Sequence, residues 1–151
     1  MDVDDVERIA VLGAGNMGHG IAEVAAIAGY DVAMRDISEE LVQHGYEQIE
    51  WSLGKLAEHD QLSADEADAA LERVNPVVDV DEAVGDADVV IEAVPERMDV
   101  KEAVWAEVEE HTNEDAVFVS NTSSLSITAL SAITERPERF CGMHFFNPPV
   151  R

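Results

Sequence analysis

The sequence predicts an α/β fold: a doubly wound, mainly parallel sheet with helices on both faces. Three observations carry that expectation. Short runs dense in Val and Ile alternate with segments of helical periodicity. The runs read as continuous apolar stretches, as strands buried on both faces do. A glycine-rich turn joins the first run to the first helix.

The elements follow in order. Val6 to Leu12, with Ile9, Val11 and Leu12, reads as a buried strand running into glycines. Ile21, Val24, Ala25 and Ala28 then recur at helical spacing, and Gly29 stands where a helix ends. Tyr30 to Arg35 is the second strand. Ser38 is a natural N-cap, with Glu39 and Glu40 in the first turn favoured by the helix dipole. Leu41, Gly45, Ile49, Leu53 and Leu56 mark one face of the long helix that follows. Ser63 and Glu66 form a capping box for another helix, so that 58–68 reads as a helical hairpin insert. Val77 and Val78 imply a short third strand and Ala87 to Val94 a fourth, apolar one. Val100, Val104 and Val108 place an amphipathic helix before the strand Ala116 to Ser120. Leu125 to Ile133 reads as a short helix and Phe140 to Phe146 as the last strand. No internal repeat or linker interrupts the series, so residues 1–151 are expected to form one domain.

Composition narrows the function. The 151 residues hold 33 Asp plus Glu against 9 Lys plus Arg, a formal net charge of −24. Such a surface repels phosphate backbones and anionic lipid heads, which argues against nucleic-acid and membrane partners. Leu, Ile, Val and Phe together exceed the ~20% below which chains fail to collapse, so the charge does not signal disorder. The acids are spread evenly, with neither a calcium loop nor an acidic tail. This predicts a protein working in high salt, where a Debye length of ~3 Å at 1 M screens carboxylate repulsion. Lys55 and Lys101 are the only lysines. The lone Cys141 cannot form an internal disulfide and is expected to be a small buried apolar residue. The N-terminus lacks the features of a signal peptide and no apolar run spans a membrane, which leads to the expectation of a soluble cytoplasmic protein. The histidines and Cys141 show no metal-ligand spacing, so no metal site is expected.

Gly13, Gly15 and Gly18 fit G-x-G-x-x-G, with Ala14, Asn16 and Met17 between them. The motif follows a predicted strand and opens a predicted helix, the context that turns a common pattern into the phosphate loop of a Rossmann-type fold. Gly13 permits the tight turn, Gly15 the approach of the pyrophosphate, and Gly18 close helix–strand packing. The helix N-terminus supplies free N–H groups and partial positive charge. Asp36, at the end of the second strand, is placed to accept from both ribose hydroxyls and to repel a 2′-phosphate, which favours NAD over NADP. Strand alternation sends the neighbouring Arg35 to the opposite face, as a surface charge.

The second half carries Asn121-Thr122-Ser123-Ser124 and His144-Phe145-Phe146-Asn147-Pro148. With the glycine motif and Ile91-Glu92-Ala93-Val94-Pro95-Glu96, in this order, the chain resembles the 3-hydroxyacyl-CoA dehydrogenase family over essentially all of its length. The resemblance implies an oxidoreductase that interconverts 3-hydroxyacyl-CoA and 3-oxoacyl-CoA with NAD, in fatty-acid or butanoate metabolism. It makes His144 the catalytic base and acid, and a pKa near 6.5 suits a histidine to both roles around neutral pH. It makes Ser123 the donor to the substrate oxygen and a cofactor neighbour. It places Glu96 and Lys101 on the nicotinamide side of the cofactor, and Asn147 beside it. From the residues alone, Ser123 is equally a helix cap, His144 a core histidine, and Glu96 and Lys101 solvated charges.

In the family, a glutamate about a dozen residues beyond the histidine orients the imidazole, and a helical domain supplies the acyl pocket and a dimer surface. Here Arg151 is the last residue. The expectation is therefore a cofactor-binding half that turns over poorly by itself, with the helical domain and, in the full enzyme, a second subunit as its partners. The alternative from a different class is a standalone NAD-binding or regulatory module without turnover.

Overall fold

A computed structural model describes residues 2–122, 127–132, 134–143, 145 and 149. A short 3-10 turn, Val3–Asp5, precedes β1 (Arg8–Leu12), α1 (Asn16–Ile27), β2 (Asp31–Arg35), α2 (Glu39–Glu58) and α3 (Ala64–Glu72). There follow β3 (Val74–Val77), α4 (Val80–Val84), β4 (Val89–Glu92), α5 (Met98–His111), β5 (Val117–Ser120), α6 (Ile127–Ser131) and β6 (Phe140–Gly142), with a second 3-10 turn at Pro137–Arg139.

Among the described residues, six strands form one sheet in the order β3-β2-β1-β4-β5-β6, and each of their pairings is parallel. The predicted doubly wound α/β architecture is what the chain adopts. Because successive strands run outward from β1 in both directions, right-handed crossovers must place the two helix groups on opposite faces. Ile9, Val11, Val32 and Met34 pack under α1, α2 and α3. Ala10, Leu12, Val90 and Phe118 pack on the other face, under Trp105 and Val108 of α5 and Leu130 of α6. Trp105 anchors that second core, with its ring 4.9 Å from Phe118 and 5.1 Å from Phe140 between centroids.

The caps hold as read. Ser38 Oγ accepts from the Leu41 N–H at 3.2 Å, and Ser63 and Glu66 exchange both hydrogen bonds of the capping box. Several details differ. The third strand lies at Val74–Val77, not at Val77 and Val78. Pro76 obscured it, although β3 is a sheet edge, where a missing N–H is tolerated. On α2 the buried face is Val42, Gly45, Ile49 and Leu53, so Leu41 is turned outward. On α5 the buried residues are Lys101, Trp105 and Val108, one position on from the Val100 and Val104 stripe. The five-residue α4, capped by Asp79, is too short to leave a period in the sequence. Cys141 is exposed, contrary to expectation. It stands on β6, the strand at the edge of the sheet, in register with Val119. No helix among the described residues is long and apolar enough to cross a membrane.

Candidate functional site

At the C-terminal end of the sheet the chain leaves β1 toward β2 on one side and, after β3, returns to β4 on the other. This switch point opens a crevice of about 500 Å³, bounded by Gly13, Gly15, Met17, Asp36, Val94 and Pro95. Crevices of this kind, outside the carboxyl ends of parallel strands, are where doubly wound folds bind ligands.

The glycine loop is built by backbone contact. Gly13 adopts φ +105° and its N–H donates to the Arg35 carbonyl at 2.7 Å. A Cβ there would stand 2.6 Å from the Ala93 carbonyl oxygen, and one on Gly18 would stand 1.7 Å from the Gly13 oxygen. Only glycine fits either place. Gly15 differs, since a Cβ on it would meet nothing within 4 Å. Its exposed backbone is the N-cap of α1, without a side-chain cap, followed by exposed Asn16 and half-buried Met17. The result is an open cradle floored by the free N–H groups of a twelve-residue helix, which suits a pyrophosphate.

Asp36 follows β2 directly. Its Oδ2 accepts from the Ala14 N–H at 2.9 Å and its Oδ1 from the Ile37 N–H at 2.7 Å. The carboxylate is thereby fixed against the loop, with lone pairs left for two hydroxyls. Exposed Ile37 and Leu41 continue the same wall and form an apolar lip of the kind a purine ring covers. Arg35 is not the free surface charge expected. Its Nε donates to the Val78 carbonyl at 2.7 Å, and the half-buried side chain lines the crevice with Asp36. Both residues sit where the strand ends, so the crevice, which runs across the strand ends, touches both faces.

Across the switch point, Glu92 ends β4 wholly buried. Its Oε1 accepts from Ser120 Oγ at 2.7 Å, and its Oε2 from the Val94 N–H at 3.0 Å and from Lys101 Nζ at 2.5 Å. The Lys101 ammonium is equally buried, and it also lies 3.5 Å from Glu96 Oε1, which accepts from Thr122 Oγ1 at 2.6 Å. Lys101, implied as a cofactor contact, thus meets carboxylates on both sides. Glu92, which the sequence reading does not single out as a site residue, is the buried centre of this cluster. The signal was an acid inside an otherwise apolar strand, since a carboxylate there must find donors.

Hydrogen bonds tie the chain just after β5 to the chain just after β6. Asn121 Oδ1 accepts from the Phe145 N–H at 3.2 Å, and the Met143 N–H donates to the Ser120 carbonyl at 3.0 Å. Pro149 returns onto α1, where a Cβ on Gly20 would lie 2.7 Å from its Cδ. Ser123, His144 and Asn147 lie outside the described residues. Among the described residues, no group of three or more His, Cys, Asp or Glu could hold a metal ion.

Comparison with known proteins agrees with this geometry. The family model for the 3-hydroxyacyl-CoA dehydrogenase NAD binding domain matches residues 8–151. The fatty acid oxidation complex subunit alpha of Pseudomonas paraeruginosa is 46% identical over 144 residues, 95% of this chain and 20% of that protein. The chain therefore spans about a fifth of the length of the curated relatives it matches. The crystal structure of 3-hydroxybutyryl-CoA dehydrogenase from Escherichia coli K12 superposes with a TM-score of 0.93 at 42% identity, covering 97% of this chain and 31% of that one. That of (S)-3-hydroxybutyryl-CoA dehydrogenase from Ralstonia eutropha gives 0.92 at 39%, covering 95% and 50%.

Proposed function

Since the chain belongs to the 3-hydroxyacyl-CoA dehydrogenase family, as its NAD binding domain, we propose that it is the cofactor-binding part of an enzyme interconverting 3-hydroxyacyl-CoA and 3-oxoacyl-CoA. The observation that carries this is the Asn121 to Phe145 hydrogen bond. It joins Asn121, two residues before Ser123 in the sequence, to Phe145, the neighbour of His144, which supports a reaction in which the serine and the histidine act together.

NAD, when bound, supplies the hydride acceptor for C3 of the substrate. The remaining work belongs to this chain. Neutral His144 takes the substrate hydroxyl proton on oxidation and returns it on reduction. Ser123 donates to the oxygen as it changes between hydroxyl and carbonyl. Asp36 holds the adenosine ribose, the N-terminus of α1 holds the pyrophosphate, and Glu96, Lys101 and Asn147 serve the nicotinamide half. The acyl pocket, the orientation of His144 and a homodimer interface fall to a helical domain of the complete enzyme. The reaction belongs to fatty-acid oxidation in the cytoplasm, and the net charge of −24 suits a cytoplasm of high ionic strength.

The test is in two stages. NADH fluorescence titration of the chain is expected to show saturable binding. Fusion to a family helical domain is then expected to give NADH-dependent reduction of acetoacetyl-CoA that disappears in His144→Ala. Binding without turnover in every fusion would establish a standalone binding module instead.

A further inference from the structure

Arg35 ends β2, in register with Leu12 of β1 on one side and Val77 of β3 on the other, and its carbonyl accepts from the Gly13 N–H at 2.7 Å. Its backbone is thereby locked to the start of the glycine loop. The side chain is tethered as well, since Nε donates to the Val78 carbonyl at 2.7 Å. That bond uses one of the five N–H donors of a guanidinium and meets a neutral oxygen, so the charge itself is not matched. No carboxylate of the described residues forms an ion pair with it, in a chain that holds 33 Asp plus Glu. Half-burial removes part of the water that would otherwise serve the remaining donors, and the place therefore favours an anion.

The crevice tells which anion. Among the described residues that bound it, Arg35 and Asp36 are the two that carry charge. Asp36 is fixed by the Ala14 and Ile37 N–H groups at 2.9 and 2.7 Å. A ribose held through its hydroxyls by Asp36 brings its 2′ oxygen to this same end of β2. A phosphate on that oxygen is repelled by the carboxylate and attracted by the guanidinium. An acid at this place selects the free hydroxyl, and a nearby arginine accommodates the 2′-phosphate. This crevice presents both groups side by side.

We propose that Arg35 is a specificity-determining residue that opens the crevice to a 2′-phosphorylated dinucleotide, so that NADP(H) is a second, weaker ligand beside NAD(H). The inference rests on the reading that this crevice takes NAD. Asp36 sets the preference for the free hydroxyl, and Arg35 limits how strong that preference is. The tether at Nε leaves the two terminal nitrogens as a planar donor fork, which suits phosphate oxygens better than the point charge of an ammonium.

The readout is the ratio of the dissociation constants for NADPH and NADH, measured by fluorescence titration of the full chain at fixed ionic strength. Saturable binding of both is expected in the wild type, with NADH the tighter. Arg35→Gln keeps an N–H donor for the Val78 carbonyl and removes the charge, and it is expected to raise the ratio about tenfold, the size expected of one unit charge in a partly hydrated crevice. Arg35→Lys restores the charge without the fork and is expected to fall between the two. Asp36→Ala is expected to lower the ratio, and Arg35→Gln added to it to reverse most of that change. Both affinities moving by one common factor in Arg35→Gln would make Arg35 a clamp between β2 and Val78 only, and would overturn the inference. A wild-type chain that binds NADH and shows no saturable NADPH binding would overturn it as well. A chain that binds neither would instead overturn the NAD reading itself.

Discussion

Glu23 offers the sharpest test of how this core is balanced. It lies on the buried face of α1, 1% exposed, with Ser52 Oγ of α2 donating to its Oε2 at 2.8 Å. Burial pushes its carboxyl up to about 7 from 4.5, against the smaller opposing effect of the Ser52 hydroxyl. Below the unfolded value both states are protonated and nothing is lost. Between the two values the folded chain holds a proton that the unfolded chain has released, so stability falls as pH rises, at ~1.4 kcal/mol per unit. Above pH 7 the full cost is present. Replacing the acid by an uncharged isostere removes that cost, so Glu23→Gln is expected to gain on the wild type by about 2.5 kcal/mol between pH 5 and pH 8.5. For a chain of this size that is a difference of roughly 5–10 °C in melting temperature. The glutamine carbonyl keeps the bond from Ser52, while its buried amide adds a pH-independent penalty of about 1–3 kcal/mol. The diagnostic is therefore the slope of the difference with pH. Thermal melts of both proteins across this range, in molar KCl to screen the acidic surface, supply it. Parallel melting curves would refute the reasoning, because they would mean Glu23 is as ionised in the folded chain as in the unfolded one.

Three further outcomes follow from the geometry. Asp36→Ala deletes the charged acceptor beside the Ala14 N–H and is expected to weaken NADH binding by roughly 10- to 100-fold, while the preference for NADH over NADPH narrows; paired titrations with the two cofactors check both effects. Gly20→Ala gains helix propensity yet puts a methyl 2.7 Å from Pro149, so turnover of the complete enzyme is expected to fall by about tenfold or more through displacement of the segment that carries His144, with NADH affinity retained. The net charge of −24 predicts a melting temperature that rises from dilute buffer to molar KCl; equal or greater stability in dilute buffer would remove the case for a high-salt habitat.

Much of the site was legible because its parts are local. The glycine loop, the helix it opens and the acid after β2 depend on backbone geometry within a few residues, and such geometry constrains residue type directly. The same holds for the caps at Ser38 and Ser63, whose partners are three residues away. Helix faces were less legible. A stripe of Val100, Val104 and Val108 reads as the core side of α5, but of these only Val108 is buried, beside Trp105, and Lys101 pairs with Glu92, nine residues distant and on another element. Leu41 reads as core by period, while the crevice beside Asp36 leaves it exposed as part of an apolar wall.

By itself, then, the sequence determined the fold class, the glycine loop, the acid that follows the second strand and the family, since each rests on short-range backbone rules or on an ordered set of motifs. Only the tertiary structure decided that Lys101 is buried between two carboxylates, that Glu23 is buried with Ser52 for a partner, and that Asn121 accepts from the Phe145 N–H. The physical reason is common to all three. Charge and hydrogen bonding are satisfied by whatever donors and acceptors distant segments bring within 3 Å or so, and residue spacing along one chain does not encode which segments those are.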